Sequence, residues 1–303
     1  MLFRHEKRPI HGVAFILLSS LFTMDKQSHI KDATLELLNT VEGIPTLPDR
    51  FLCIQEVMSD CTSSLQDLTQ AIETDQASAS AIVKVANSSY YNPLGKPVSS
   101  LSYAISRLGR SQTSSIALSM SLLYGFSIPA GTASIRRFWA HAFAVGQISR
   151  HLASTLPADK NIDPDTCFLA GLLHDVGRAI FGIRIDIFYF EQPFAQFQGQ
   201  ALVDAETKAY GLNHAEAGRI TLKNWGFAPQ VYETVGAHHD PLNLETANVI
   251  CQLADQLAHK YFQETSSIEK IQVKLQDSFL HQIMLGLHDA GDDFHVFLQQ
   301  ISS

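Results

Sequence analysis

The stretch FLAGLLHDVGR, residues 168–178, places a histidine and an aspartate side by side at the end of a strongly apolar segment. Burying the imidazole of His174 and the carboxylate of Asp175 is costly unless the two groups are paired or bind a metal. Neighbouring residues on a helix point about 100° apart, so both side chains converge only on a ligand that lies between them. Imidazole with carboxylate suits Fe, Mn or Zn. The pair therefore indicates a metal site, and a structural role stays open.

Further histidines and an aspartate recur on both sides of this pair, on segments whose apolar spacing predicts helices. Each has an ordinary structural interpretation as well, because His141 shares an apolar helix face with Phe138, and Asp255 shares one with Cys251. In this order along the chain, however, they predict one common site with the first pair. The residues concerned are His141, His214, His238, His239 and Asp255.

The composition limits the class of protein. The chain has 303 residues, and 30 Asp and Glu outnumber 22 Lys and Arg to give a net charge of −8. Nonspecific nucleic-acid binding depends on Lys and Arg that neutralise phosphates, so no direct nucleic-acid partner is expected. Hydrophobic residues make up 46% of the chain, which is enough for a sizeable core.

Several common motifs are absent from the sequence. There is no GxxxxGK phosphate loop, no GxGxxG, no GxSxG and no HExxH, so the usual nucleotide-binding, esterase and zincin interpretations lose support. The four cysteines contain no CxxC pair, which argues against a disulfide framework and fits a reducing cytoplasm. They are Cys53, Cys61, Cys167 and Cys251.

The N-terminus combines a basic segment, residues 1–12, with an apolar run of ten residues at 13–22. A membrane-spanning helix needs about 20 apolar residues, so no membrane span is expected. The run is similar to the apolar region of a signal peptide, but no A-x-A cleavage pattern follows it. An extension preceding a start at Met24, a packed helix and a signal peptide remain as alternatives, and whether the chain starts at Met1 or Met24 stays open.

From residue 24 onward, apolar residues at helical spacing predict one helix after another. In the segment 181–187, apolar and other residues instead alternate with a period of two, which is typical of a β-strand. Because no partner strand is evident, we expect helix or irregular structure there. The best boundary between two parts lies at residues 125–132, and further helices are expected after the one at 245–262. Three helix starts are marked by Ser64 with Asp67, Asp163 with Pro164, and Asn213 with Glu216.

Taken together, these residues resemble the HD superfamily of metal-dependent phosphohydrolases, whose motif is His, then His-Asp, then Asp. The motif corresponds here to His141, His174 with Asp175, and Asp255, while the remaining histidines match those that let some members hold two metals. More closely, the chain resembles HDOD-domain proteins, the HD-related output domain of bacterial signalling, over about residues 41–260. The matching segments are 44–48, 71–75, 84–88, 100–109, 138–141, 171–177, 210–214, 225–229 and 238–239.

The resemblance implies an all-α fold. A helical subdomain at residues 41–126 would pack against an HD-like helical core at 132–303, with residues 1–40 as an extension and lead helix. The HD site would hold a mononuclear or dinuclear divalent metal, Fe, Mn or Zn. Asp175 would bridge two metals or position water, and Arg178 would bind phosphate. The first subdomain carries no predicted ligand and is expected to serve as an interaction surface.

Two functions are consistent with this resemblance. One is a regulatory signalling module in the cytoplasm that binds a protein partner or a nucleotide. The other is a phosphohydrolase of a phosphodiester or nucleotide, in which the metal acidifies water and polarises a phosphoryl oxygen. The chain lacks a Gly-Tyr-Pro motif and has Arg178 where the related cyclic-dinucleotide phosphodiesterases carry lysine, so it is not of that subclass. Whether it forms a homodimer, and whether the histidines are only core residues, stay open.

Overall fold

The computed structural model describes residues 24–39, 47–60, 62–87, 91–92, 94–126, 128, 132–156, 162–191 and 193–264. Over these ranges the chain is helical or irregular and contains no β-strand, which confirms the predicted all-α fold. The apolar run at 13–22, most of the segment at 44–48, and the further helices expected toward the C-terminus lie outside the described residues.

Helices follow one another along the chain, and two of them are separated only by the His-Asp pair. A π-helical turn, Phe181–Ile185, and a 3-10 turn, Phe194–Gln196, lie between α9 and α10. The α-helices are α1 Met24–Asn39, α2 Asp49–Ser59, α3 Leu65–Glu73, α4 Gln76–Ala86, α5 Leu101–Leu108, α6 Arg110–Gly125, α7 Thr132–Thr155, α8 Pro164–Leu173, α9 Val176–Ile180, α10 Gly199–Tyr210, α11 His214–Asn224, α12 Pro229–Ala237 and α13 Thr246–Glu264.

Local capping chemistry sets where several of these helices begin. The Asp67 N–H donates to the Ser64 hydroxyl while the Ser64 N–H donates to the Asp67 carboxylate, which forms a capping box at the start of α3. Asn213 and Glu216 form the same arrangement at the start of α11. At α8, the carboxylate of Asp163 accepts two backbone N–H groups. All three predicted helix starts are confirmed.

Three further details concern individual elements. α6 begins at Arg110, and within it the hydroxyls of Ser114 and Ser115 donate to carbonyls four residues back. α12 ends at Ala237, before Asp240. The alternating segment is the π-helical turn followed by irregular chain, as expected.

Aromatic packing joins the two parts of the chain in one core. Phe51 of α2 packs against Phe227, which precedes α12, with ring centroids 6.2 Å apart. Phe126 at the end of α6 stacks with Trp139 at 6.1 Å and with Trp225 at 6.0 Å. Trp225 is partly buried and packs against a single buried cluster that contains the other four side chains. Whether the boundary at 125–132 separates two domains stays a prediction.

The lead helix α1 packs on the second half of the chain. Its Thr34 hydroxyl donates to the Tyr210 carbonyl at 2.8 Å, and its Leu38 is fully buried. Gly211, with φ +77°, lies so close to α1 that an added Cβ would be 2.6 Å from the Cα of Lys31. Glycine is therefore required here both for its backbone conformation and for the close approach.

One helical stretch among the described residues, Pro164–Ile185, is long and apolar enough to be considered as a membrane span, and 78% of its apolar 18-residue window is buried inside the molecule. Phe168 and Leu173 from this stretch lie in the main core cluster. Core packing therefore accounts for its apolar character.

Candidate metal centre

The His-Asp pair lies at a break between two helices, not within one helix as the sequence analysis assumed. α8 ends at Leu173, and Asp175 has φ −97° and ψ 10°, a sparsely populated conformation that bends the chain before α9. The bend brings Nε2 of His174 to 3.7 Å from Oδ2 of Asp175. Gly177 then lets α9 approach α11, because a Cβ there would lie 2.0 Å from a backbone oxygen of His214.

Two histidines are oriented by the free carbonyls of helix ends. The ring Nδ1 of His174 lies 2.8 Å from the Gly171 carbonyl, and Nδ1 of His238 lies 2.6 Å from the Val235 carbonyl. Carbonyls in the last turn of a helix have no partner within the helix, so each accepts the Nδ1–H of the histidine that follows. The lone pair of Nε2 then faces the site on both residues, as a metal ligand requires.

Asp255 on α13 joins α7 to the His-Asp pair. Its Oδ1 lies 2.9 Å from Nε2 of His141, 3.6 Å from Nε2 of His174 and 3.0 Å from Nδ1 of His259. His259 stands one helical turn after Asp255 on the same helix. Three imidazole nitrogens from three parts of the chain therefore surround one carboxylate oxygen.

The second group of histidines lies on the other side of Asp175. Nε2 of His214, the first residue of α11, is 3.2 Å from Oδ1 of Asp175 and 3.0 Å from Nε2 of His239. Nε2 of His238 is 3.8 Å from the same Asp175 oxygen. Asp175 thus stands between two sets of imidazoles, and its other oxygen accepts from Nη1 of Arg178 at 2.8 Å.

The structure brings all the predicted ligand residues to one place, while their role in metal binding stays a prediction. Among the described residues, three groups have donor atoms within 4.8 Å of one another. The groups are His141, His174 and Asp175; His214, His238 and His239; and His141, Asp255 and His259.

Both carboxylates are held in the ionised form. Burial opposes ionisation of Asp175, but the charges of His174 and Arg178 hold its pKa well below the ordinary value. Burial also opposes ionisation of Asp255, and the hydrogen bond with His141, together with the nearby imidazoles of His174 and His259, holds its pKa below the ordinary value. The site therefore presents two negative charges to whatever it binds.

The histidines differ in their affinity for protons. Burial works against protonation of His214, but the Glu206 carboxylate raises its pKa to about 9. Burial and the neighbouring His214 lower the pKa of His239 to about 4. Burial, together with the adjacent His239, holds the pKa of His238 well below its usual value. Metals bind the neutral imidazole, so a cation bound by His214 has to displace the proton that this residue holds on Nε2.

In the first group, burial lowers the pKa of His141. For His174, burial works in the same direction, but the charges of Asp175 and Asp255 outweigh it and raise the pKa. Two carboxylates beside His174 thus attract positive charge to this position, which a divalent cation would supply.

The donor set fits a divalent cation. The Nε2 atom of His238 is buried and has no hydrogen-bond partner among the described residues. An unsatisfied buried polar atom costs about 1–3 kcal/mol. Together with neighbouring imidazoles and the Asp175 carboxylate, this nitrogen offers the mixed ligands that Fe, Mn and Zn accept.

Three residues at this site were missed by the sequence analysis. His259 had a signal, since it follows Asp255 by one helical turn. Glu206 on α10 is completely buried and accepts from the backbone N–H and from Nδ1 of His214. Its other oxygen accepts from the hydroxyl of Tyr189. The sequence signal for Glu206 was a carboxylate near apolar Leu202 on one helix, and Tyr189 had none.

A cavity of about 430 Å³ opens onto this centre. The exposed Arg137 and the partly buried Arg178 lie on its wall, with several aromatic rings contributed by the irregular chain before α10. Its other lining residues include Ser134, Phe138, Phe190, Phe197 and Gln198.

Several proteins of known structure share this fold. An HDOD domain protein of unknown function from Geobacter sulfurreducens aligns with a TM-score of 0.62 and 18% identity, over 91% of this chain and 98% of that chain. A candidate signal transduction protein from Marinobacter aquaeolei VT8 aligns with a TM-score of 0.63 and 18% identity, over 95% of this chain and 69% of that chain. A candidate phosphohydrolase from Shewanella amazonensis SB2B aligns with a TM-score of 0.61 and 19% identity, over 86% of this chain and 97% of that chain. These likenesses show the fold alone.

Sequence comparison identifies the family. An uncharacterized protein of Treponema pallidum (strain Nichols) is 22% identical over 207 residues, which cover 67% of this chain. This chain spans only 39% of the length of that curated relative. The HDOD domain family itself matches residues 44–241. Because this match covers about two thirds of the chain, the protein belongs to the HDOD domain family.

Proposed function

We propose that this protein is a regulatory module of bacterial signal transduction whose HD site holds one or two divalent metal ions, Fe, Mn or Zn. Family membership supports the signalling role, as does the description of a structural neighbour as a candidate signal transduction protein. The proposed ligands of one metal are His141, His174, Asp175 and Asp255. Those of a second metal are His214, His238 and His239, with Asp175 shared between the two.

The buried Nε2 of His238 is the observation that carries the metal proposal. It is held toward Asp175 by the bond between its Nδ1 and the Val235 carbonyl, and it has no hydrogen-bond partner in the described part of the chain. A core histidine without a ligand would be expected to satisfy both ring nitrogens. A divalent ion in this position would satisfy Nε2 and balance the charge of Asp175.

Elemental analysis of the full chain, purified without an affinity-metal step, tests the metal proposal. We expect one or two Fe, Mn or Zn per chain in the wild type and none in a His174→Ala/Asp175→Ala double variant. His151→Ala, which alters an exposed histidine on the same helix as His141, is the matched control and should keep its metal. A wild type that binds no metal after anaerobic reconstitution would overturn the proposal.

The cavity favours a second function, hydrolysis of a phosphodiester or nucleotide. Arg137 on the cavity wall makes no hydrogen bond or ion pair with any described residue, and the buried Nε of Arg178 has no partner in the same ranges. The Arg137 guanidinium and the Nε of Arg178 are thus left for a phosphate, which arginine binds bidentately, while Nη1 of Arg178 stays paired with Asp175. A bound divalent cation would supply Lewis acidity to water and to a phosphoryl oxygen.

Hydrolysis of bis(p-nitrophenyl) phosphate by the metal-loaded full chain tests this second function. Activity should disappear in Asp175→Asn, and Arg137→Ala should raise the KM more than it lowers kcat. Arg219→Ala removes an exposed arginine that does not line the cavity and is the control. Absence of turnover with this probe and with nucleotides would leave the regulatory function alone.

We also propose that the first half of the chain contacts a signalling partner. No metal-ligand group occurs among its described residues, and Leu52 and Tyr103 are large apolar side chains exposed there by 45% and 59%. Sedimentation velocity of the full chain and of Leu52→Ser/Tyr103→Ser tests whether that partner is a second copy. A dimer lost in the variant would favour a homodimer, whereas a monomeric wild type would exclude a second copy as the partner.

A further inference from the structure

Glu206 is a carboxylate with no exposed surface, placed directly behind the second group of histidines. Its Oε2 accepts from the backbone N–H of His214 at 2.8 Å and from Nδ1 of His214 at 2.6 Å. Its Oε1 accepts from the hydroxyl of Tyr189, which is itself buried. A buried charge of this kind persists only when it is fully hydrogen-bonded, and three donors meet that requirement here.

His214 is anchored differently from His174 and His238. His174 and His238 donate Nδ1–H to neutral backbone carbonyls, whereas His214 donates to a carboxylate. A hydrogen bond to an ionised acceptor is about twice as strong as a neutral one. A carboxylate behind a ligating imidazole also increases the electron density on its other nitrogen and fixes the ring orientation.

The ring orientation matters because Nε2 of His214 lies in the middle of the centre. It is 3.2 Å from Oδ1 of Asp175 and 3.0 Å from Nε2 of His239. With Nδ1 committed to Glu206, Nε2 is the nitrogen left for a ligand between these groups. We propose that Glu206 is a positioning residue for a cation held by His214, His238 and His239, and that its negative charge strengthens binding there. This inference rests on the metal centre proposed above.

A purely structural role for Glu206 has to be separated from this one. α11 begins at His214, so Glu206 also accepts an N–H that the helix cannot satisfy internally. Glutamine preserves that role, because its carboxamide oxygen accepts both donors of His214 and its NH₂ group donates to the oxygen of Tyr189. Glu206→Gln therefore keeps the shape of the side chain and both of its bonds to His214, reverses the bond with Tyr189 and removes the charge.

Titration of the chelator-treated full chain with Co²⁺, whose visible absorption reports its ligands, tests the proposal. In Glu206→Gln, one of two Co²⁺ equivalents should lose about 10- to 100-fold in affinity, with the other equivalent and the Tm of the metal-free protein unchanged. Glu233→Gln, at an exposed glutamate, should bind as the wild type does. If the wild type binds a single equivalent, the comparison applies to that one. Unchanged affinity in Glu206→Gln would overturn the inference.

NMR of metal-free protein labelled with ¹⁵N-histidine provides a test that needs no metal. The Nδ1–H of His214, bonded to a carboxylate and sealed from solvent, should give a slowly exchanging proton resonance far downfield. Glu206→Gln should shift this resonance upfield, Tyr189→Phe should shift it less, and His214→Gln should remove it. Absence of the resonance from the wild type would overturn the positioning role, whereas a wild type that shows it yet binds no metal would overturn only the proposed centre.

Discussion

Asp175 lies where the two sets of imidazoles meet, and its side chain is almost entirely buried. One oxygen faces His214 and His238, and the other accepts from Arg178 and lies near His174. Arg178 is positively charged, and the other three neighbours present imidazole nitrogens. The Asp175 carboxylate therefore supplies the negative charge in this part of the molecule. Removal of the Asp175 carboxylate leaves the Arg178 guanidinium without a counterion and the nearby imidazole nitrogens without a polar neighbour.

We expect Asp175→Ala to destabilise the metal-free protein by about 3 kcal/mol, because removal of one member of a buried pair strands the other. Urea unfolding in the presence of chelator measures this change. Glu233→Ala breaks the exposed pair with Arg219, whose side chains are about half exposed, and should cost less than about 1 kcal/mol. Equal losses in the two variants would contradict this account of Asp175.

Cysteine reactivity gives a pH-dependent prediction at the same scale. Burial raises the pKa of the Cys167 thiol to about 11, while Cys53 is exposed. At pH 8, about one Cys167 in a thousand is then a thiolate, and this fraction rises as the pH approaches 11. We expect iodoacetamide at pH 8 to label Cys53 well before Cys167, measured by peptide mass spectrometry. Rapid labelling of Cys167 in folded protein would show that the core around α8 is open.

At the scale of the helices, the centre is built from helix ends. The C-terminal carbonyls of α8 and α12 orient His174 and His238, and the N-terminus of α11 carries His214. Helix ends leave backbone groups without intrahelical partners, so they can orient side chains that the middle of a helix cannot. The break between α8 and α9 follows the same principle, since a continuous helix would direct the His-Asp pair apart.

The contact between α1 and the turn before α11 gives a prediction for a single glycine. Gly211 and Gly226 both have positive φ, at +77° and +79°, but only Gly211 has a neighbouring backbone where a Cβ would be. Gly226→Ala should cost about 1 kcal/mol from backbone strain alone. Gly211→Ala should cost about 3 kcal/mol, since strain is joined by displacement of α1.

Urea unfolding of the two glycine variants measures these costs. Limited proteolysis at Lys31 reports whether α1 detaches, and we expect faster cleavage only in Gly211→Ala. Equal costs without added cleavage would mean that α1 adapts to the methyl group and that the close approach is not a constraint.

At the scale of the whole molecule, one aromatic core links the helices before residue 126 to those that carry the centre. Phe51 from α2 is fully buried against Phe227, while the tryptophans, Trp139 and Trp225, both stand in the second half. The fluorescence of the tryptophans thus reports on the second half of the chain. The packing of Phe51 against Phe227 connects the first half to the second.

Phe51→Ala should destabilise the protein by about 3–5 kcal/mol by leaving a cavity in this shared core. If the molecule unfolds as one unit, the tryptophan fluorescence transition in urea shifts to lower concentration by the corresponding amount. Leu65→Ala, at a side chain 41% exposed, serves as the control and should shift it little. An unchanged fluorescence transition in Phe51→Ala would indicate that the two halves unfold independently.

Local chemistry alone specified much of this protein. Capping pairs such as Ser64 with Asp67 depend on residues three positions apart, so the helix starts could be predicted from the sequence. The ordered His and Asp residues, starting from His174 and Asp175, resemble the HD motif, and further matching segments such as 44–48 and 100–109 narrowed the resemblance to the HDOD family.

Packing between distant parts of the chain set the surroundings of those residues. Glu206 acts on His214 from another helix across the Gly211 turn, and α1 meets Tyr210 from 176 residues away. Contacts of this kind leave no periodic trace in the sequence, because burial and hydrogen bonding depend on which helices pack together. The sequence thus determined which groups the chain brings to the site, and packing determined their orientation, their charge and the carboxylate that stands behind them.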